Sequence, residues 1–424
     1  MFVLSILLIQ IAVILVVARA LGWVFERLHQ QQVIGEMIAG LVLGPSLLGW
    51  LSPGIFNAVF PSWSLDFINA LSQIGLIVFM FLVGLELSPD LLRKRGHSAI
   101  VISHTSIIVP FLLGSFLAVF LYSKLSPSSV PFTSFVLFFA VSMSITAFPV
   151  LARMLTDRDM LGTSVGAVAL AAAAVDDVTA WCILAGVVLL VSATASILPF
   201  WVTPLGACVY AVFMVFVGSR WLQRLCPQNE PELNLPQRKF ALIMFLVVAS
   251  ALVTESLGLH PMFGAFLMGA VMPKDSSFIF ELKNRLEDIV VVLLLPLYFA
   301  FTGLRTSVGL ISGPTLLLYF GLIMLVAIGG KFCGAFFASR LTGMRWRESG
   351  SIGVLMNTRG MVELVALNIG LDIGVISRLV FSMLVLMAVI TTCMTIPLLD
   401  LLFPVGRTAD AIRLEAGKDI PETV

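Results

Sequence analysis

The chain has 424 residues, 59% of them hydrophobic and 12% charged, with a mean hydropathy of +1.07 and a formal charge of +1. A water-soluble domain carries about 25% charged residues, so this composition excludes a soluble globular fold and requires a bilayer. The near-neutral total gives no footprint for nucleic acid, and no such partner is expected.

In chain order, thirteen apolar segments lie at about 2–25, 31–49, 66–87, 97–121, 130–152, 162–190, 202–222, 237–256, 260–273, 286–303, 314–340, 348–370 and 378–402. Most match the roughly 20 residues that a spanning helix needs. The second and ninth are short and glycine-rich. The first lacks a basic n-region and runs longer than a signal-peptide core, so it reads as a spanning helix. The expected fold is an all-α polytopic membrane protein with 13 transmembrane helices, and 404–424 reads as a short polar cytosolic tail. Cys182, Cys208, Cys226, Cys333 and Cys393 show no metal-ligand spacing and read as buried free thiols. His29, His97, His104 and His260 form no metal or catalytic cluster.

The basic residues orient this arrangement. With the N-terminus outside, the inner loops and tail collect Arg27, Arg93, Lys94, Arg95, Arg153, Arg158, Arg220, Arg224, Arg238, Lys239, Lys274, Lys283, Arg285, Arg340, Arg345, Arg347, Arg407, Arg413 and Lys418. The outer loops hold only Lys124, Arg305 and Arg378. That asymmetry predicts an N-out, C-in topology.

Two pairs of segments suggest an internal repeat. VIGEMIAGLVLGP (33–45) is similar to MFGAFLMGAVMP (262–273), with Gly35 and Gly40 matching Gly264 and Gly269 at the same spacing. FLVGLELSPDLL (81–92) is similar to FTGLRTSVGLI (301–311). Together they align helices 1–6 with helices 8–13 and leave helix 7 as a linker. Equivalent helices then stand seven positions apart, and that odd offset gives inverted six-helix repeats, an arrangement common in secondary transporters.

The chemistry concentrates in charges set within apolar segments. Asp176 and Asp177 are adjacent in the sixth segment, where two unpaired carboxylates would each cost several kcal/mol. Neighbouring helix positions point about 100° apart, so one aspartate can face a watery cavity while the other meets a partner. Burial and mutual repulsion favour protonation, which lets protons compete with a metal cation for the carboxylate. Lys331 lies deep in the eleventh segment and needs a counter-charge, for which Asp176 or Asp177 is the candidate. In the twelfth, Asn357-Thr358-Arg359-Gly360 interrupts the apolar run, with Glu363 four residues beyond Arg359 on the same face. In the fifth, Ser142, Ser144 and Thr146 precede Pro149, offering hydroxyls for cation coordination or for bonds back to the helix. These two segments are equivalent in the repeat and read as crossed discontinuous helices. Glu86 and Arg305 are equivalent helix-end charges, Glu36 is a candidate vestibule residue, and Arg19 is expected to snorkel toward the inner surface.

The segments VIGEMIAGLVLGPSLLG (33–49), FMFLVGLELSPDLLR (79–93), SITAFPVLARML (144–155), AAAAVDDVTAW (171–181), GGKF (329–332) and MNTRGMVELVALNIG (356–370) together resemble the monovalent cation/proton antiporter superfamily, in its CPA2 branch, over nearly the whole chain. The resemblance implies a sodium/proton-exchanger-like transmembrane domain over 1–403. Its core helices would lie at about 97–190 and 314–402, and its dimerisation or scaffold helices at about 2–87 and 202–303. It further implies a homodimer and elevator-like alternating access. Asp177 matches the ion-binding aspartate that holds Na+ or K+ transiently, Asp176 matches the partner of Lys331, and Arg359 and Glu363 match a polar cluster on the second broken helix. The acid pair resembles that of electrogenic exchangers. Some potassium-handling relatives carry glutamine at the first aspartate and a large nucleotide-sensing domain, so glutathione-gated potassium efflux is disfavoured.

The leading expectation is therefore a non-enzymatic secondary antiporter in a bacterial inner or plasma membrane. It would exchange protons for Na+, with K+ or Li+ as further cargoes, and use no cofactor. A K+/H+ or electroneutral exchanger is the alternative within the class, and a cation or proton channel the alternative outside it. An intramembrane aspartyl protease would need its two aspartates on separate helices, and here they are adjacent.

Overall fold

A computed structural model describes residues 3–86, 96–160, 163–192, 202–225, 236–273 and 277–402, in which every regular element is helical. The principal helices are α1 (Val3–Arg27), α2 (Gln32–Leu43), α3 (Leu65–Glu86), α4 (Gly96–Leu125), α5 (Phe132–Ser144), α6 (Phe148–Asp157) and α7 (Ser164–Ser192). They continue as α8 (Val202–Phe213), α9 (Ser219–Leu225), α10 (Gln237–Ser256), α11 (Pro261–Ala270), α12 (Ser277–Ile289) and α13 (Leu295–Arg305). The last four are α14 (Pro314–Leu341), α15 (Trp346–Met356), α16 (Met361–Asp372) and α17 (Arg378–Leu402).

Twelve described stretches are long and apolar enough to cross a membrane. The ninth predicted segment is α11, only 10 residues long, with a rise of about 15 Å. The protein is thus a multi-pass, all-α integral membrane protein. The predicted tail at 404–424 lies outside the described residues. Among the four cysteines described, all are free, yet Cys182, Cys208 and Cys333 are exposed rather than buried. The reason is that apolar helix faces in such a protein point outward into lipid, so an apolar neighbourhood in sequence does not imply burial in protein.

The chain forms two compact units. The first gathers Met1–Val24, Gly35–Ser88 and Ala185–Ser307. Its core includes Ile14, Leu43, Ile68, Leu297 and Phe301. Glycines set its helix spacing. A side chain on Gly35 would strike α1 at Leu21 and Gly22, and one on Gly40 would strike the Phe299 carbonyl of α13. The sequence-matched Gly264 meets Ser250 of α10 in the same way, and Gly269 meets Phe81 of α3. Gly40→Leu is therefore expected to lower stability by about 3 kcal/mol, the upper range for overpacking. Gly54→Ala should be neutral, since nothing lies within 4 Å of an added Cβ there. Equal melting temperatures for the two variants in detergent would contradict this packing.

Several polar groups in this unit find internal partners, as a bilayer favours. The Gln10 amide donates to Val59 O at 2.7 Å and Ser64 Oγ at 2.6 Å. Arg19 pairs with buried Glu36 at 3.5 Å and donates to Val291 O within a π-helical turn, Val290–Leu294. Glu86 accepts from Lys283 Nζ at 2.6 Å, and Arg305 lies over the Phe301 ring.

The second unit gathers Phe25–Ile34, Pro89–Leu184 and Val308–Val424. Small residues allow close contact here. Ala169, Ala172, Ala173, Ala335 and Ala338 are buried with Leu151, Leu155, Ile352 and Leu355. Gly330 packs on Pro110 of α4, and Gly353 on Phe332 of α14. Arg158, at the end of α6, forms an ion pair with Asp400 of α17. Gln31 donates to Val150 O at 2.9 Å, tying the α1–α2 connection to α6.

Candidate ion site at two helix breaks

Both predicted interruptions are present in the second unit. The α5 helix ends at Ser144, Ile145 and Ala147 adopt extended backbone, and α6 begins at Phe148 with a proline in its first turn. That placement suits proline, which has no amide proton to give and fixes a helical φ. The α15 helix ends at Met356, and α16 begins at Met361 after extended Gly360. The breaks touch. Ala147 N donates to Thr358 O at 3.1 Å, and Thr146 Oγ1 donates to Met356 O at 3.2 Å. Each break thus satisfies backbone groups that the other leaves open.

Arg359 occupies this crossing and is fully buried. Its Nη1 donates to Ser142 O and its Nη2 to Met143 O, at 2.9 and 2.8 Å. A cation capping the last carbonyls of α5 complements the negative end of that helix. Nη1 also donates to Glu363 Oε1 at 2.9 Å. Glu363 stands in the first turn of α16, where a carboxylate complements the positive helix end. Thr392 of α17 anchors the break from the other side, accepting from Arg359 N at 3.2 Å.

The acid pair divides as adjacent helix positions must. Asp176 Oδ2 accepts from Lys331 Nζ at 3.2 Å, and the same ammonium donates to Thr146 Oγ1 at 2.5 Å. Asp176 Oδ1 accepts from Ser106 Oγ of α4 at 3.3 Å. Of the two counter-charges that the sequence leaves open for Lys331, the structure selects Asp176. Asp177 is also fully buried, yet neither of its carboxylate oxygens has a hydrogen-bond partner among the described residues. Asn357 Oδ1, Thr358 Oγ1 and Glu363 Oε2 are buried in the same condition.

The structure therefore brings Asp176, Lys331, Thr146 and the Arg359–Glu363 pair to the two breaks. Ser142 and Ser144 direct their hydroxyls back to Phe138 O and Ala140 O, at 2.9 and 2.8 Å. It is the Ser142 carbonyl that takes part, as an acceptor for Arg359. Glu86 and Arg305 belong to the first unit, and this cluster to the second. Sequence reasoning missed Ser106 and Thr392. The available signal was hydroxyl residues within the long apolar runs of α4 and α17, though a serine or threonine there most often bonds its own helix.

Known proteins resemble this chain along its length. Na(+)/H(+) antiporter NhaS4 of Synechocystis is 44% identical over 95% of this chain and 98% of its own. Cation/H(+) antiporter 17 of Arabidopsis thaliana is 39% identical over 96% of this chain, which spans 49% of that relative. The solved structure of the sodium proton antiporter MjNhaP1 from Methanocaldococcus jannaschii at pH 8 has a TM-score of 0.68, covering 94% of this chain and 96% of that one at 15% identity. That likeness concerns the fold. The profile of the family described as sodium/hydrogen exchanger, transmembrane, matches residues 11–400. With that match covering most of its length, the chain belongs to the sodium/hydrogen exchanger transmembrane family.

Proposed function

We propose that this protein is a secondary antiporter that exchanges protons for a monovalent cation at Asp177, with Na+ favoured and K+ or Li+ as further cargoes. The observation that carries the reading is a fully buried Asp177 with no hydrogen-bond partner among the described residues, next to an Asp176 already committed to Lys331. An ionised carboxylate buried alone is costly. Either a proton or a cation removes that cost, and the two exclude each other. If the site changes sides only when neutralised, that exclusion produces exchange. The names of NhaS4 and of the plant relative, both cation/proton antiporters, agree in class.

In this reading the second unit, with its helices from about 97–190 and 314–402, is the moving core. The first, with helices from about 2–87 and 202–303, is the scaffold of a homodimer, and transport follows an elevator-like path. Thirteen spans run N-out and C-in through a bacterial inner or plasma membrane. The glycine contacts support the inverted repeat, because Gly35 meets α1 where its match Gly264 meets α10, and Gly40 meets α13 where its match Gly269 meets α3. Opening the Asp176–Lys331 pair gives the cycle a second exchangeable charge, which makes transport electrogenic.

The test is proton flux driven by Na+ or K+ in proteoliposomes with voltage recorded. Cation-dependent flux that moves net charge supports the proposal, whereas proton leak unchanged by either cation would sink it. Lys331→Ala is expected to alter the pH dependence and charge movement of exchange more than the yield of folded protein. Wild-type values for both in that variant would remove Lys331 from the coupling.

A further inference from the structure

We propose that the turn joining α14 to α15 is a docking site for anionic phospholipid headgroups, in which Arg345 and Arg347 supply the charge and Trp346 the anchor. The α14 helix ends at Leu341, Gly343 turns the chain with a φ of +91°, and α15 starts at Trp346. The end of this hairpin is both apolar and basic. Leu341 is 85% exposed, Trp346 66% and Phe337 59%. Arg345 and Arg347 flank Trp346 and are exposed as well.

Two features set this surface apart from a merely solvated basic turn. First, Trp346 is held in place. The Arg340 guanidinium lies 4.6 Å from its ring centroid, and the Phe336 ring packs at 5.7 Å. Arg340 is itself fixed across the turn, where it donates to Met344 O. An indole packed on one side and exposed on the other suits the headgroup level of a bilayer, which offers its apolar body and its N–H different surroundings. Second, the flanking charges are uncommitted. Neither Arg345 nor Arg347 has an acidic partner among the described residues, whereas Arg158 is paired with Asp400 and Arg285 with Glu281. Glu348, the carboxylate of this turn, accepts from Arg345 N at 2.7 Å and so closes the first turn of α15.

Unpaired guanidiniums on either side of an interfacial tryptophan, above an apolar rim, complement a lipid that carries net negative charge. The planar fork of arginine can hold two phosphate oxygens at once. Each basic side chain near an anionic membrane surface raises affinity about fivefold. Headgroups docked here would hold the end of α14 at a fixed depth. Lys331 stands nine residues before Arg340 on that helix, about 14 Å along its axis. Leaflet composition thereby bears on the helix that carries Lys331, a property beyond the antiport reading.

The test uses the full chain in phosphatidylcholine vesicles that contain brominated phosphatidylglycerol or, at the same fraction, brominated phosphatidylcholine. Bromine quenches nearby tryptophan, and the part of the emission that is lost in Trp346→Phe reports this site. Brominated phosphatidylglycerol is expected to quench that part with an apparent affinity at least about fivefold above that of the brominated neutral lipid. The double variant Arg345→Gln/Arg347→Gln should bring the two lipids to parity, and it should fold as wild type because both side chains are exposed. Arg220→Gln/Arg224→Gln removes the same charge elsewhere and should keep the preference. Equal quenching by the two lipids in wild type, no quenching by either, or a preference that survives in the Arg345/Arg347 variant would overturn the inference. So would displacement of the brominated anionic lipid by soluble glycerol 3-phosphate, which would make the turn a site for free anions. The emission is read without transport, so absence of cation-driven flux in wild type would overturn the antiport reading and leave this result standing.

Discussion

Asp177→Asn is expected to reduce cation-coupled proton exchange at least about a hundredfold, to the level of empty liposomes, while the protein folds at least as well as wild type. Both halves follow from the same geometry. Asp177 is buried, and no described residue donates a hydrogen bond to its carboxylate. Asparagine keeps the shape and removes the charge that a cation would neutralise, so nothing remains for protons and cations to compete over. It also removes the cost of burying an unpaired carboxylate, so the melting temperature should hold or rise. Normal exchange in the variant would remove Asp177 from the site. Loss of exchange accompanied by a collapse in melting temperature would make the residue structural.

Arg359→Ala is expected to act in the opposite way, through the fold. Its guanidinium serves Ser142 O, Met143 O and Glu363 Oε1 at once. Removing it leaves two helix-end carbonyls open and a buried carboxylate uncompensated, at a cost of about 3–5 kcal/mol. Lysine should rescue only in part, because one ammonium cannot reproduce the planar fork. Adding Glu363→Gln to Arg359→Ala should recover part of the loss by removing the stranded charge. Melting temperatures of the single and double variants decide this. An Arg359→Ala protein as stable as wild type, or a double variant no better than the single, would contradict the role assigned to the pair.

Much of this arrangement is legible in the amino-acid sequence. Apolar length locates the spans because lipid permits only helices whose backbones are internally bonded. Charges within those spans mark the site because their burial is expensive. The two breaks are visible for the same reason, as Pro149 and the Asn357–Gly360 run are poor helix interior. What burial and spacing alone could not decide was partnership, which only the family resemblance assigned to Asp176. Asp176 and Asp177 are chemically identical, and only the rotation of α7 against α14 gives Lys331 to the first. The Ser142, Ser144 and Thr146 hydroxyls look equivalent in the chain. The first two sit within the last turn of α5 and bond back to it, while Thr146 lies beyond the helix end and reaches across to Met356. The cysteines escape a sequence reading because hydropathy does not separate a lipid-facing helix surface from a protein-facing one.

The most direct test of the central claim is proton release from purified protein in weakly buffered detergent solution on addition of Na+ or K+. If protons and cations compete for Asp177, the wild type should release protons in a saturable, cation-dependent manner, and Asp177→Asn should release none. No release from wild type with either cation, or equal release from the variant, would contradict exchange at this carboxylate.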